Sequence, residues 1–155
     1  MSTELETIAN LFKSLHNELT SIIHDLSDEE LDWVPIEGPT NSIGVLITHL
    51  IGAESFRIHQ MAGGIDINRD RDSEFLGNPK NNSELISEIS RVGTRTAEVL
   101  GCLSQTDLDI VRPSVRSYED AETIRWHILH AIEHFGRHLG HLELTRQLYA
   151  ERSRG

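Results

Sequence analysis

The chain has one cysteine, Cys102, in 155 residues, so no intrachain disulfide can form and no thiolate cluster can bind a metal. Lying among Val99, Leu100 and Leu103, that thiol is expected to behave as a small buried hydrophobe. Basic side chains are scarce too: 14 Lys plus Arg stand against 25 Asp plus Glu, a formal net charge of -11. A surface that acidic repels phosphate backbones and anionic lipid, so neither nucleic acid nor a membrane is an expected partner. No apolar run approaches the ~18 residues that span a bilayer. The start Met1-Ser2-Thr3-Glu4-Leu5-Glu6 lacks the basic and apolar stretches of a signal peptide. The expected location is cytoplasmic. No strand-like alternation, repeat or low-complexity tract occurs.

What is present is a balance of 25% charged and 37% hydrophobic residues, that of a soluble globular protein. The length suits one domain spanning 1-155. Four segments have helical periodicity. In the first, Ile8, Leu11, Phe12, Leu15, Leu19, Ile22, Ile23 and Leu26 form one apolar stripe. Ser27 and Glu30 then make a capping-box pattern, but Pro35 and Pro39 limit it to about one helical turn. Asn41 or Ser42 can cap a second helix that carries Ile43, Leu46, Ile47, Leu50, Ile51, Ile58 and Met61 before Gly63-Gly64 stops it.

The stretch 63-82, with Asn68-Arg69-Asp70-Arg71-Asp72 and Gly77-Asn78-Pro79, reads as a long surface loop of the kind that is functional or mobile. Ser83 with Glu84 opens a third helix through Leu103, and a fourth, the longest, starts around 118-121 and runs to about Tyr149. Four amphipathic helices without strands predict an all-α antiparallel four-helix bundle. The second helix is apolar nearly all round and needs cover on more than one side, which motivates the expectation of a homodimer.

The nine histidines carry the functional signal, and five of them fall in the fourth helix at His127, His130, His134, His138 and His141. At 100° per residue they project into a sector of about 80°, centred about 90° from the core face of Ile124, Ile128, Phe135, Leu139 and Leu142. A lone histidine at such an edge is usually a hydrogen-bonded half-buried side chain. His134 and His138 differ because residues four apart project from successive turns of one face and can reach one ion. Together with His127 they lean furthest toward the core. A bundle site also needs a ligand from a facing helix, and His49 is the only histidine inside the apolar run of the second. An imidazole buried there without a partner costs a few kcal/mol, which a metal or a hydrogen bond would relieve. His59 lies near that helix's end and is less well placed, while His16 and His24 lie off the first helix's stripe and read as surface residues.

Four stretches carry a resemblance that covers nearly the whole chain: Leu31-Asp32-Trp33-Val34-Pro35, Asn41-Ser42-Ile43-Gly44 with Thr48-His49-Leu50, Arg69 through Phe75, and His130 through His141. Together they resemble the DinB/YfiT-like metalloenzymes. The resemblance implies a bundle of up-down-down-up order and a divalent metal held by His49, His134 and His138. The segment Arg137-His138-Leu139-Gly140-His141 looks closer to the mycothiol-dependent branch, although that branch in some members carries a carboxylate at the place of His134.

Three neutral imidazoles leave a coordination position open, as in catalytic zinc sites. Zinc is the default ion, with nickel, iron and others also suited to imidazole. The resemblance implies an enzyme acting on a small molecule, a thiol S-transferase using mycothiol, bacillithiol or glutathione. Three alternatives stand beside it: a metal-dependent hydrolase, a metal-stabilised, stress-associated interaction protein without catalysis, and a plain bundle with no metal. No catalytic side chain is assigned, since Glu133 and Glu54 are poorly placed as general bases; His130 and His141 read first as solvated surface, then as pocket groups.

Overall fold

The computed structural model describes residues 3-77 and 80-152. Asn78 and Pro79 of the expected loop lie outside them, as do Met1 and Ser2 of the N-terminal reading. The helices are α1 (Thr3–Ile23), the short α2 (Asp28–Asp32), α3 (Ile43–Glu54), α4 (Asn82–Cys102) and α5 (Ile124–Arg152). The axis of α3 continues through Ser55–Ala62 with the wider π-helical winding.

Contacts at the helix ends fix the directions. The Asn82 side chain, at the start of α4, donates to the carbonyls of Ile23 and Leu26, so α4 runs antiparallel to α1. Near the end of α5, Arg146 donates to the Ile22 carbonyl and to Asp25, so α5 runs parallel to α1. Arg57, late in the α3 axis, meets His127, early in α5, so those two oppose. The order is up-down-down-up, as the resemblance implies.

Local sequence sets each start. Ser27 and Glu30 complete a capping box on α2, and Ser42 accepts from the Val45 N–H on α3. Asn81, not Ser83, caps α4, with Glu84 reciprocating. The last helix starts later than the periodicity suggests. Glu122–Thr123 are extended and pair antiparallel with Val111–Arg112, a ribbon of β1 (Val111–Arg112) and β2 (Glu122–Thr123) too short to leave an alternating pattern. The Thr123 hydroxyl then accepts from the Trp126 N–H and caps α5. Cys102 is exposed, contrary to expectation, because in the last turn of α4 it falls off the stripe of Leu85, Ile89, Val92 and Val99.

Two apolar layers follow one another along the bundle. One gathers Leu19, Ile23, Ile47, Ile89, Phe135 and Leu142, and the other Leu5, Phe12, Ile58, Leu100, Leu108 and Ile128. Much of the cover that the all-round apolar α3 needs comes from within the chain, from α2, α4, α5 and the 72-75 turn. Among the described residues no helix is long and apolar enough to cross a membrane.

Candidate metal centre

His49 from α3 and His134 and His138 from α5 meet on one side of the bundle. Each offers one ring nitrogen, and the three nitrogens lie within 4.8 Å of one another, so the triad could hold a metal ion. The ring centroids are 4.5 Å apart for His134 and His138, and 5.2 Å from His49 to each. The i, i+4 spacing on α5 and the antiparallel crossing of α3 produce this convergence.

The tautomer of His49 is set by a carboxylate. Its Nδ1–H donates to Glu74 Oε2 at 3.0 Å, which leaves the lone pair on Nε2. Glu74 also receives Arg69 Nε at 2.6 Å and Arg69 Nη2 at 2.7 Å. Burial alone would raise the Glu74 carboxyl, but the hydrogen bonds from His49 and Arg69 outweigh it and hold the group below the usual range. The 63-82 loop delivers this carboxylate through a tight turn at Asp72–Phe75. Gly52 makes room for it: a Cβ there would stand 2.3 Å from Glu74 Oε1.

The other two rings are kept neutral. Burial first, then the neighbouring imidazoles, lowers His134 to about 3 and His138 to about 4. His138 Nδ1 is buried with no hydrogen-bond partner, the state of a nitrogen that an ion or water would satisfy. Two imidazoles neutral at pH 7 and a third pinned by an ionised carboxylate are a donor set that fits a divalent cation.

Two of the three, His49 and His134, line a cavity of about 130 Å³ together with Phe56, Arg57, Arg69, Arg71 and Arg116. His130 also lines it, stacked on Trp126 at 4.7 Å, and burial lowers its pKa. His141 is exposed, 5.3 Å from the His138 ring. His127, though core-facing, stays apart from the triad: Arg57 Nη1 donates to its Nδ1 at 3.4 Å, and burial followed by the Arg57 charge lowers it to about 4.

A second histidine group was not visible in the sequence. His16, expected at the surface, is only 12% exposed in its side chain, and its Nε2–H donates to Glu54 Oε2 at 2.8 Å. The Thr96 hydroxyl donates its single proton to Glu54 Oε1 and therefore accepts from His59 Nε2 at 3.1 Å. The off-stripe placement of His16 misled because its ring lies against Gly93, where the missing side chain of α4 leaves room. His24 is exposed as expected.

Solved structures share this architecture. A conserved protein from Enterococcus faecalis superposes with a TM-score of 0.74 at 14% identity, over 96% of this chain and 97% of that one. A DinB-like protein from Bacillus cereus gives 0.76 at 14% identity, over 94% and 92%. A mycothiol-dependent maleylpyruvate isomerase gives 0.67 at 15% identity, over 92% of this chain and 63% of the other. No curated protein matches the chain. A family model, mycothiol S-transferase, matches residues 7-151, and the chain belongs to that family.

Proposed function

We propose that this protein is a metal-dependent transferase that moves a low-molecular-weight thiol onto an electrophilic small molecule. The observation that carries the reading is the convergence of three imidazole nitrogens, two of them from residues that line a cavity, with no fourth protein donor grouped with them among the described residues. A divalent ion there, zinc by default, would supply a Lewis acid that lowers the pKa of an incoming thiol.

The protein's own groups prepare that chemistry. Glu74 and Arg69 hold the His49 ring in one tautomer and one orientation. Burial keeps protons off His134 and His138 at neutral pH. Phe56 and Arg69 line the cavity beside His49 and His134. The new bond joins that sulfur to the electrophilic carbon as the leaving group departs with its electron pair. The thiol proton passes to solvent or to His130, the neutral base lining the cavity.

The test is thiol titration in the presence of an electrophile panel, with glutathione, bacillithiol and mycothiol in turn. Metal-loaded protein is expected to accelerate thiol consumption, and chelator-treated protein or His49→Ala is not. Equal rates with and without metal for every thiol would remove the reading.

A further inference from the structure

This is an acidic chain, at -11, yet no Asp or Glu lines the inner cavity, which gathers four guanidinium groups. Their partners do not balance them. Arg69 spends two donors on Glu74. Arg57 grips both oxygens of Glu119 at 2.9 and 3.0 Å, and Arg116 shares that same carboxylate at 2.8 Å. Among the described residues Arg71 has no carboxylate partner, and it is exposed. Four positive charges thus face two negative ones, Glu74 and Glu119. A field of that sign in a low-dielectric cleft attracts an anion.

The two least neutralised guanidiniums are placed by aromatic faces. Arg116 lies 3.8 Å above the Phe56 ring and Arg71 5.1 Å above the Phe75 ring, which itself packs 4.8 Å from His49. Stacking orients a guanidinium without using its N–H donors, so those of Arg71, and those of Arg116 not given to Glu119, stay available to a planar oxyanion. Arg71 and Arg116, with Phe56 and Arg69, also line a second pocket of about 460 Å³, large enough for the rest of a small molecule. Exposed Asp66, Asp70 and Asp72 line that outer pocket. They disfavour a polyanion such as a polyphosphate, and a substrate with one or two carboxylates suits both regions.

Resting on the transferase reading, we propose that the substrate entering this cavity carries a carboxylate, bound by Arg71 and Arg116 beside the imidazole triad. The carboxylate can come from the thiol or from the electrophile, and unreactive probes separate the two. Calorimetry on the metal-loaded protein would compare S-methylglutathione with its dimethyl ester, and 3-nitrobenzoate with its methyl ester. At least one acid is expected to bind ten-fold or more tightly than its ester. Arg71→Gln and Arg116→Gln should each erase most of that preference with metal content unchanged, and Arg71→Lys should restore part of it. Preference for S-methylglutathione assigns the carboxylate to the thiol, and preference for 3-nitrobenzoate assigns it to the electrophile. Equal binding of acid and ester, no binding of either acid, or a preference that survives both Gln variants overturns the proposal. Acid binding without any thiol consumption would retain this site and remove the transferase reading instead.

Discussion

Two polar clusters are built into this bundle from the same kinds of side chain, and they differ in what is left over. His16, Glu54, Thr96 and His59 form a chain in which each proton has an acceptor, and both Glu54 oxygens are taken. Glu54 and Thr96 fall in sequence between the two apolar layers, and the cluster ties α1, the α3 axis and α4 together. In the other cluster Glu74 serves a single histidine and leaves Nε2 of His49 with its lone pair, while His138 Nδ1 has no partner. A satisfied network specifies packing, and an unsatisfied convergence of lone pairs could hold an ion.

Ligand deletion tests that contrast most severely. His49→Ala, His134→Ala and His138→Ala should each weaken metal binding by more than the roughly 100-fold that losing an outer partner costs. His16→Ala and His59→Ala should keep full metal content by elemental analysis. Thermal melts should agree: metal at 100 times its Kd raises wild-type stability by about 2.7 kcal/mol, and the three ligand variants lose that gain. A His16→Ala protein that lost its metal would collapse the distinction between the clusters.

The reverse experiment addresses stability. His16→Ala leaves the Glu54 carboxylate, 2% exposed, with only Thr96 and should cost about 3 kcal/mol in urea unfolding. Metal affinity should be unchanged by it.

Smaller effects belong to the support of His49. Glu74→Gln should lower metal affinity roughly 10- to 100-fold with the fold retained. Gly52→Ala should act in the same direction, because its Cβ would overlap the Glu74 carboxylate. Equilibrium dialysis measures both, and an undiminished affinity in Glu74→Gln would show that the carboxylate does not tune the site.

The gentlest probe is pH. His134, at about 3, and His127 and His138, at about 4, bind protons less readily folded than unfolded, where the value is about 6.5. Their contribution is complete above pH ~6.5 and is lost as the pH falls from there toward 4, because the unfolded chain then binds protons the folded one refuses. Urea midpoints of chelator-treated protein should decline across that window. A flat profile between pH 7 and 4 would contradict the burial of these rings.

The sequence by itself determined the four helices, their apolar stripes and the pairing of His134 with His138, because helical periodicity and i, i+4 spacing are local consequences of backbone geometry. It also singled out His49 as a polar group in an apolar run that required a partner. Tertiary structure decided the rest. That Glu74 returns from the 63-82 loop to fix His49, that Gly52 and Gly93 admit a carboxylate and a ring, and that four arginines line a cavity with His49 and His134 are all encounters between residues far apart in the chain. Cys102 and His16 exchanged their expected places for the same reason: a stripe tells which face of a helix is apolar, but burial depends on what the neighbouring helix brings or leaves out at that height.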